Sequence, residues 1–174
     1  MAWTAPTTRT TGELITAAIW NTDVVDNLDA LKAPPSSDSI LDLGGDLTTT
    51  STSFADVDAT NLSETIVTTG GDVMVHFHGT VKGSAGFRLY FEIDMDGSAV
   101  AGDDGIALEG VHTDATFLPG LKTVTFTRLI TSVSPGSHTF KLQWKVSSGT
   151  AILYAGAGTA NYDVHPQFWA REAT

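Results

Sequence analysis

The chain has 174 residues, enough for one moderate domain with an appendage, and its 41% apolar content supports a packed core and excludes a disordered protein. Twenty acidic residues against nine basic give a net charge of −11, which excludes nucleic-acid phosphates and anionic membrane surfaces as partners. There is no cysteine, so disulfides, thiolate zinc sites and cysteine nucleophiles are excluded as well.

Met1-Ala2-Trp3-Thr4-Ala5-Pro6 has neither a basic nor an apolar region of the secretory kind, and no apolar run approaches the roughly 20 residues that cross a bilayer. These features predict a soluble protein made in a cytoplasm. Thr10-Thr11-Gly12-Glu13 then reads as a capping box, with Thr10 and Glu13 satisfying free donors at a helix start. The helix is expected over Glu13–Lys32 and is stopped by Pro34-Pro35-Ser36-Ser37. Leu14, Ala17, Asn21, Val24, Leu28 and Leu31 recur at alternating spacings of three and four, an a/d seam with asparagine at one a position. A helix this short relies on packing, so its stripe is expected to meet copies of itself, another protein or the body of its own chain.

Residues 34–53 are rich in Pro, Gly, Ser and Thr and read as a linker, with one apolar patch, Ile40-Leu41-Asp42-Leu43, able to form a first strand. The expected organisation is a helical attachment or oligomerisation segment over 1–33, a linker over 34–53 and a β-domain over 54–174.

From Phe54 onward the apolar period becomes two. Val73, Val75, Phe77 and Val81 alternate with Met74, His76, His78 and Thr80, and Phe140, Leu142, Trp144 and Val146 alternate with Lys141, Gln143 and Lys145. Phe87, Leu89, Phe91 and Ile93, and then Val124 and Phe126, repeat the pattern. Turn signals at Gly70-Gly71-Asp72, Lys82-Gly83-Ser84-Ala85-Gly86, Asp96-Gly97, Pro119-Gly120, Pro135-Gly136 and Ser148-Gly149 separate about eight strands, the spacing of a β-sandwich, with no second helix.

Few residues in this body suggest chemistry. His76 and His78 share one strand face and are candidates to share a metal, although no third ligand is evident and a polar outer face is the simpler reading. Asp94, Asp96, Asp103 and Asp104 concentrate carboxylates of the kind calcium takes, but the later EF-hand ligands are missing and Asp-Gly pairs also make hairpin turns. Ser137 and His138 are adjacent and so face opposite ways on a strand, and there is no Gly-x-Ser-x-Gly elbow. Glu92 and Asp94 share a face without any mark of a glycosidase pair. No phosphate loop is present, so the sequence predicts neither an enzyme nor a bound cofactor. Trp144 reads as core, whereas Trp169 lies opposite Phe168. Trp169 and Tyr90 are therefore expected at a subunit or partner interface.

Two resemblances follow from these residues. Trp3-Thr4-Ala5-Pro6, Thr10-Thr11-Gly12-Glu13-Leu14-Ile15-Thr16-Ala17-Ala18, Trp20-Asn21 and Asp26-Asn27-Leu28 together resemble a leader found in many structural proteins of tailed phages and prophages. Pro135-Gly136-Ser137-His138-Thr139-Phe140-Lys141-Leu142-Gln143-Trp144, Ser148-Gly149-Thr150-Ala151 and Phe168-Trp169-Ala170-Arg171-Glu172 are similar to jelly-roll domains of the tumour-necrosis-factor-like type. The resemblances imply a virion component, a homotrimer, with the helix as attachment or trimerisation element. Head decoration, head fibre, collar and tail appendage all fit. Other virion proteins are the implied partners, with a host-surface glycan or receptor as the alternative.

Overall fold

The computed structural model describes residues 5–40, 44–83, 88–110, 121–156 and 164–173. Met1–Thr4, residues 41–43 of the expected first-strand patch, residues 84–86 of the expected Lys82–Gly86 turn, Phe87 and the Pro119-Gly120 turn lie outside them, whereas Lys82 and Gly83 belong to a strand.

The helix begins later than the sequence suggests. Glu13 does accept from the Thr10 N–H at 3.2 Å, but this closes an isolated turn. The cap of the helix is Thr16, whose hydroxyl accepts from the Ile19 N–H at 3.3 Å. Helix α1 (Ala17–Trp20) passes through a π turn at Asn21–Val25 into α2 (Asp26–Lys32). The π turn, closed by the Asp26 N–H on the Asn21 carbonyl, bends the expected seam at its asparagine. Arg9 folds back to bind Glu13 at 3.0 Å and Asp23 at 2.8 Å. The residues this end of the chain covers are Asn27 and Ala30, not the leucines.

Beyond the helix the chain is a sandwich of two antiparallel sheets. The first runs β1 (Ser36–Ile40), β12 (Gln167–Ala173), β5 (Gly71–Gly83), β11 (Ala151–Leu153) and β2 (Leu47–Thr49), with β9 (Lys122–Val133) on the other side of β5. In the second, β3 (Ala55–Asp56) and β4 (Ser63–Thr68) pair with β10 (Gly136–Val146). On its other side β10 pairs with β6 (Arg88–Met95), which carries β7 (Ser98–Ala99) and β8 (Ala107–Gly110) at the far edge. With β1, β4, β5, β6, β8, β9, β10 and β12 as the principal strands, the two orders are one-eight-three-six and two-seven-four-five. That winding is a jelly roll, two Greek keys closed on one another.

Within the segment 34–53 expected as linker, Ser36–Ile40 and Leu47–Thr49 are strands of this sandwich, because β1 pairs with β12 and β2 with β11. Strand β1 carries no apolar alternation. It is held instead by the ladder, by Ser37 Oγ donating to Glu64, by Ser39 Oγ donating to the Asn61 carbonyl at 2.9 Å, and by the Glu172 N–H donating to the Pro35 carbonyl at 2.9 Å.

The inner faces meet where the alternation places them. Phe77, Phe91 and Phe126 lie with ring centroids 5.3 to 6.2 Å apart, in the tilted arrangement aromatic rings favour. Phe140, Leu142, Trp144, Leu153 and Phe168 complete the buried layer. Gly79 sits where a larger residue does not fit, since a Cβ there would lie 2.6 Å from the Phe77 ring and 2.9 Å from Leu153.

Candidate functional site

Three surfaces carry the polar groups singled out in the sequence. The first is the outer face of the first sheet. The registers set Asp38, Trp169, His76 and Thr127 in one cross-strand row, with Gln167, His78 and Thr125 in the next. His76 Nδ1 lies 2.9 Å from the Thr127 hydroxyl and His78 Nδ1 lies 2.8 Å from that of Thr125. Trp169 stacks on His76 at 5.0 Å between centroids and 20° between planes. Burial, together with the neighbouring His78, holds the His76 imidazole below its ordinary pKa and favours its neutral form. Phe168 faces the core and Trp169 the outside, half-buried by its stack.

The second surface joins two turns. Asp96-Gly97 is a two-residue hairpin loop between β6 and β7, with φ of 53° and 86°, and the Asp94 carboxylate accepts the Gly97 N–H at 2.9 Å. Asp96 accepts from the Thr139 N–H at 2.8 Å and from His138 Nδ1 at 2.6 Å. His138 Nε2 lies 3.0 Å from the Ser134 carbonyl and 3.3 Å from the Ser134 hydroxyl. Asp96, His138 and Ser134 joined in one hydrogen-bonded line have the order of a hydrolytic triad, but the bonding denies it. A general base needs a free lone pair at Nε2, whereas a carbonyl on one nitrogen and a carboxylate on the other require a proton on both. The bond to Asp96 accordingly raises the His138 pKa. Asp96 is held below its ordinary value, first by the Thr139 N–H. This cluster is a charged clamp between the β6–β7 and β9–β10 turns, and the sequence reading, drawn to Ser137 beside His138, missed it.

The third surface is the outer face of the second sheet. Glu92 is fully buried, and its carboxylate accepts from the backbone N–H groups of Ile93 at 2.8 Å and of Ala101 at 3.2 Å. Burial raises its pKa against those donors. Asp94 is also buried, so the two carboxylates fix backbone and do not present an open pair to a sugar. Asp103 and Asp104 lie in the single helical turn Gly102–Asp104, where the Asp103 carbonyl accepts from Lys145 Nζ at 2.5 Å. The same ammonium lies 4.2 Å from the Phe54 ring centroid and 5.2 Å from that of Tyr90, which is partly buried. Among the described residues no three of His, Asp or Glu converge as metal ligands, so Asp94, Asp96, Asp103 and Asp104 are not assembled into a calcium site.

The helix and the segment before it, which holds Leu14, carry the remaining candidates. Leu14 is 79% exposed, Leu28 59%, Trp20 54% and Leu31 46%, while Ala17 and Asn21 are also exposed and Val24 is half-buried.

No family model matches the chain and no curated protein matches it. Among solved structures, the VP2 subviral particle of infectious bursal disease virus aligns over 81% of this chain and 38% of its own, at 15% identity and a TM-score of 0.37. Dimeric latent PorU from Porphyromonas gingivalis aligns over 79% of this chain and 13% of its own, at 10% identity and a TM-score of 0.34. The chain thus spans well under half the length of either protein. Similarity this distant assigns no function.

Proposed function

We propose that this chain is a non-enzymatic structural protein of a tailed-phage virion, a head decoration, fibre, collar or tail appendage that assembles as a homotrimer and is held to the particle at its helical end. The observation that carries the assembly reading is that Trp20, Leu28 and Leu31 are exposed on a helix whose covered residues are Asn27 and Ala30, with Leu14 exposed just before it. Large apolar side chains left together in water mark a surface that another chain covers. Leu28 and Leu31, three residues apart on α2, keep the spacing of a helix-to-helix contact beyond the π turn, and the jelly roll is the body this helix precedes. The virion assignment rests on the resemblance of the N-terminal leader.

A glycan-binding reading finds less support on the first sheet. Sugar platforms use aromatic faces, and on this surface Trp169 already gives one of its two faces to His76.

The absence of cysteine makes a direct test available. Leu28→Cys should give disulfide-linked pairs of chains on mild oxidation, whereas Val67→Cys, 66% exposed on the body, should remain single under the same conditions. A Leu28→Cys protein that stays single would remove the helix from self-assembly.

A further inference from the structure

We propose that His76 and His78 form a binding site for a divalent transition-metal ion on the outer face of the first sheet. Both lie on β5, two residues apart, so their side chains leave the same face about 6.7 Å apart along the strand. Each ring is oriented by its own threonine on the neighbouring strand, Nδ1 of His76 by Thr127 at 2.9 Å and Nδ1 of His78 by Thr125 at 2.8 Å. A neutral imidazole that donates from Nδ1 keeps its lone pair on Nε2. Among the described residues no hydrogen bond engages Nε2 of either ring, so the two rings offer the same nitrogen.

One nitrogen on the metal with the other N–H on a protein acceptor is how metal-binding imidazoles are held, and here each Nδ1 lies within hydrogen-bond reach of a threonine hydroxyl able to accept. Trp169, stacked at 5.0 Å, holds the His76 ring from the opposite strand. Two imidazoles and no carboxylate select borderline transition metals over calcium or magnesium, with Cu2+ bound more tightly than Ni2+ or Zn2+. Water completes the coordination shell. The chain's charge of −11 raises the local concentration of any cation. This inference does not depend on the virion reading.

The test is calorimetric titration of the untagged full chain with Cu2+, together with the electron paramagnetic resonance spectrum of the bound ion. One Cu2+ per chain with two imidazole nitrogens in its hyperfine pattern is expected. His76→Ala and His78→Ala should each abolish that two-nitrogen signal, while His138→Gln leaves it intact. Thr125→Val and Thr127→Val keep both imidazoles and the strand propensity but remove the orienting hydroxyls, and each should weaken binding by about tenfold or more. No binding by the wild-type chain, or binding that survives both histidine substitutions, overturns the proposal. Equal affinity in the two valine variants would overturn the role given to the threonines.

Discussion

His138 and Asp96, 42 residues apart in the chain, meet at 2.6 Å because the β6–β10 ladder sets Phe140 opposite Met95 and so brings the start of β10 against the Asp96-Gly97 turn. Their pKa values move apart, His138 upward through its bond to Asp96 and Asp96 downward through its bond to the Thr139 N–H. The raised imidazole contributes stability that is fully present below its unfolded value of 6.5 and is lost as pH rises through the folded value. The lowered carboxylate contributes stability present above its unfolded value of 3.8 and lost as pH falls through the folded one. Thermal melts of the wild type and His138→Gln should therefore differ most near pH 5 and converge at strongly alkaline pH. A difference that grows from pH 5 to pH 9 would contradict the clamp.

Glu172 is 2% exposed and accepts the Thr69 N–H at 2.9 and 3.0 Å and the Thr69 hydroxyl at 3.0 Å. It ties β12 to the turn between β4 and β5. Glu172→Ala strands those donors and should cost about 1–3 kcal/mol in urea unfolding. Glu172→Gln, which keeps an acceptor oxygen, should cost less.

Gly79 faces Phe77 and Leu153 across a gap that a methyl group overfills. Gly79→Ala should destabilise the fold by about 1–3 kcal/mol. Gly71→Ala serves as the control, since a Cβ there meets nothing nearer than 3.8 Å, and should stay within about 0.5 kcal/mol. Equal melting temperatures for the two variants would show that the core relaxes around the added atom.

The sandwich was legible wherever one strand face is buried. The alternations Val73–Val81 and Phe140–Val146 in the sequence are the inner faces of β5 and β10, and the same-face placement of His76 and His78 follows from their spacing alone. Strand β1 was hidden because Ser36, Ser37, Asp38 and Ser39 have the composition of a linker; its strand character comes from β12 and from Glu64, partners far off in the chain. The helix start was misplaced because Thr10 and Thr16 both stand three residues before a usable donor, and only Thr16 is followed by uninterrupted helical backbone. The Thr125 and Thr127 contacts, like the His138 clamp, depend on strand register, which the sequence does not print.

The helix leucines Leu28 and Leu31 are 59% and 46% exposed in their own chain. Leu28→Asp with Leu31→Asp should leave the urea-unfolding free energy of the β-sandwich within about 0.5 kcal/mol of wild type. The same pair places two charges in the proposed seam and should shift the chain toward smaller species at equal concentration. A large loss of folding stability would mean that the stripe packs on its own body.

Self-association is the central claim, and light scattering coupled to size exclusion on the full chain tests it most directly. The expected mass is three times the 18.3 kDa of one chain, reduced in the Leu28→Asp and Leu31→Asp double variant. A single-chain mass for the wild type, held across the concentration range, would contradict the trimer and with it the assembly role given to the helix.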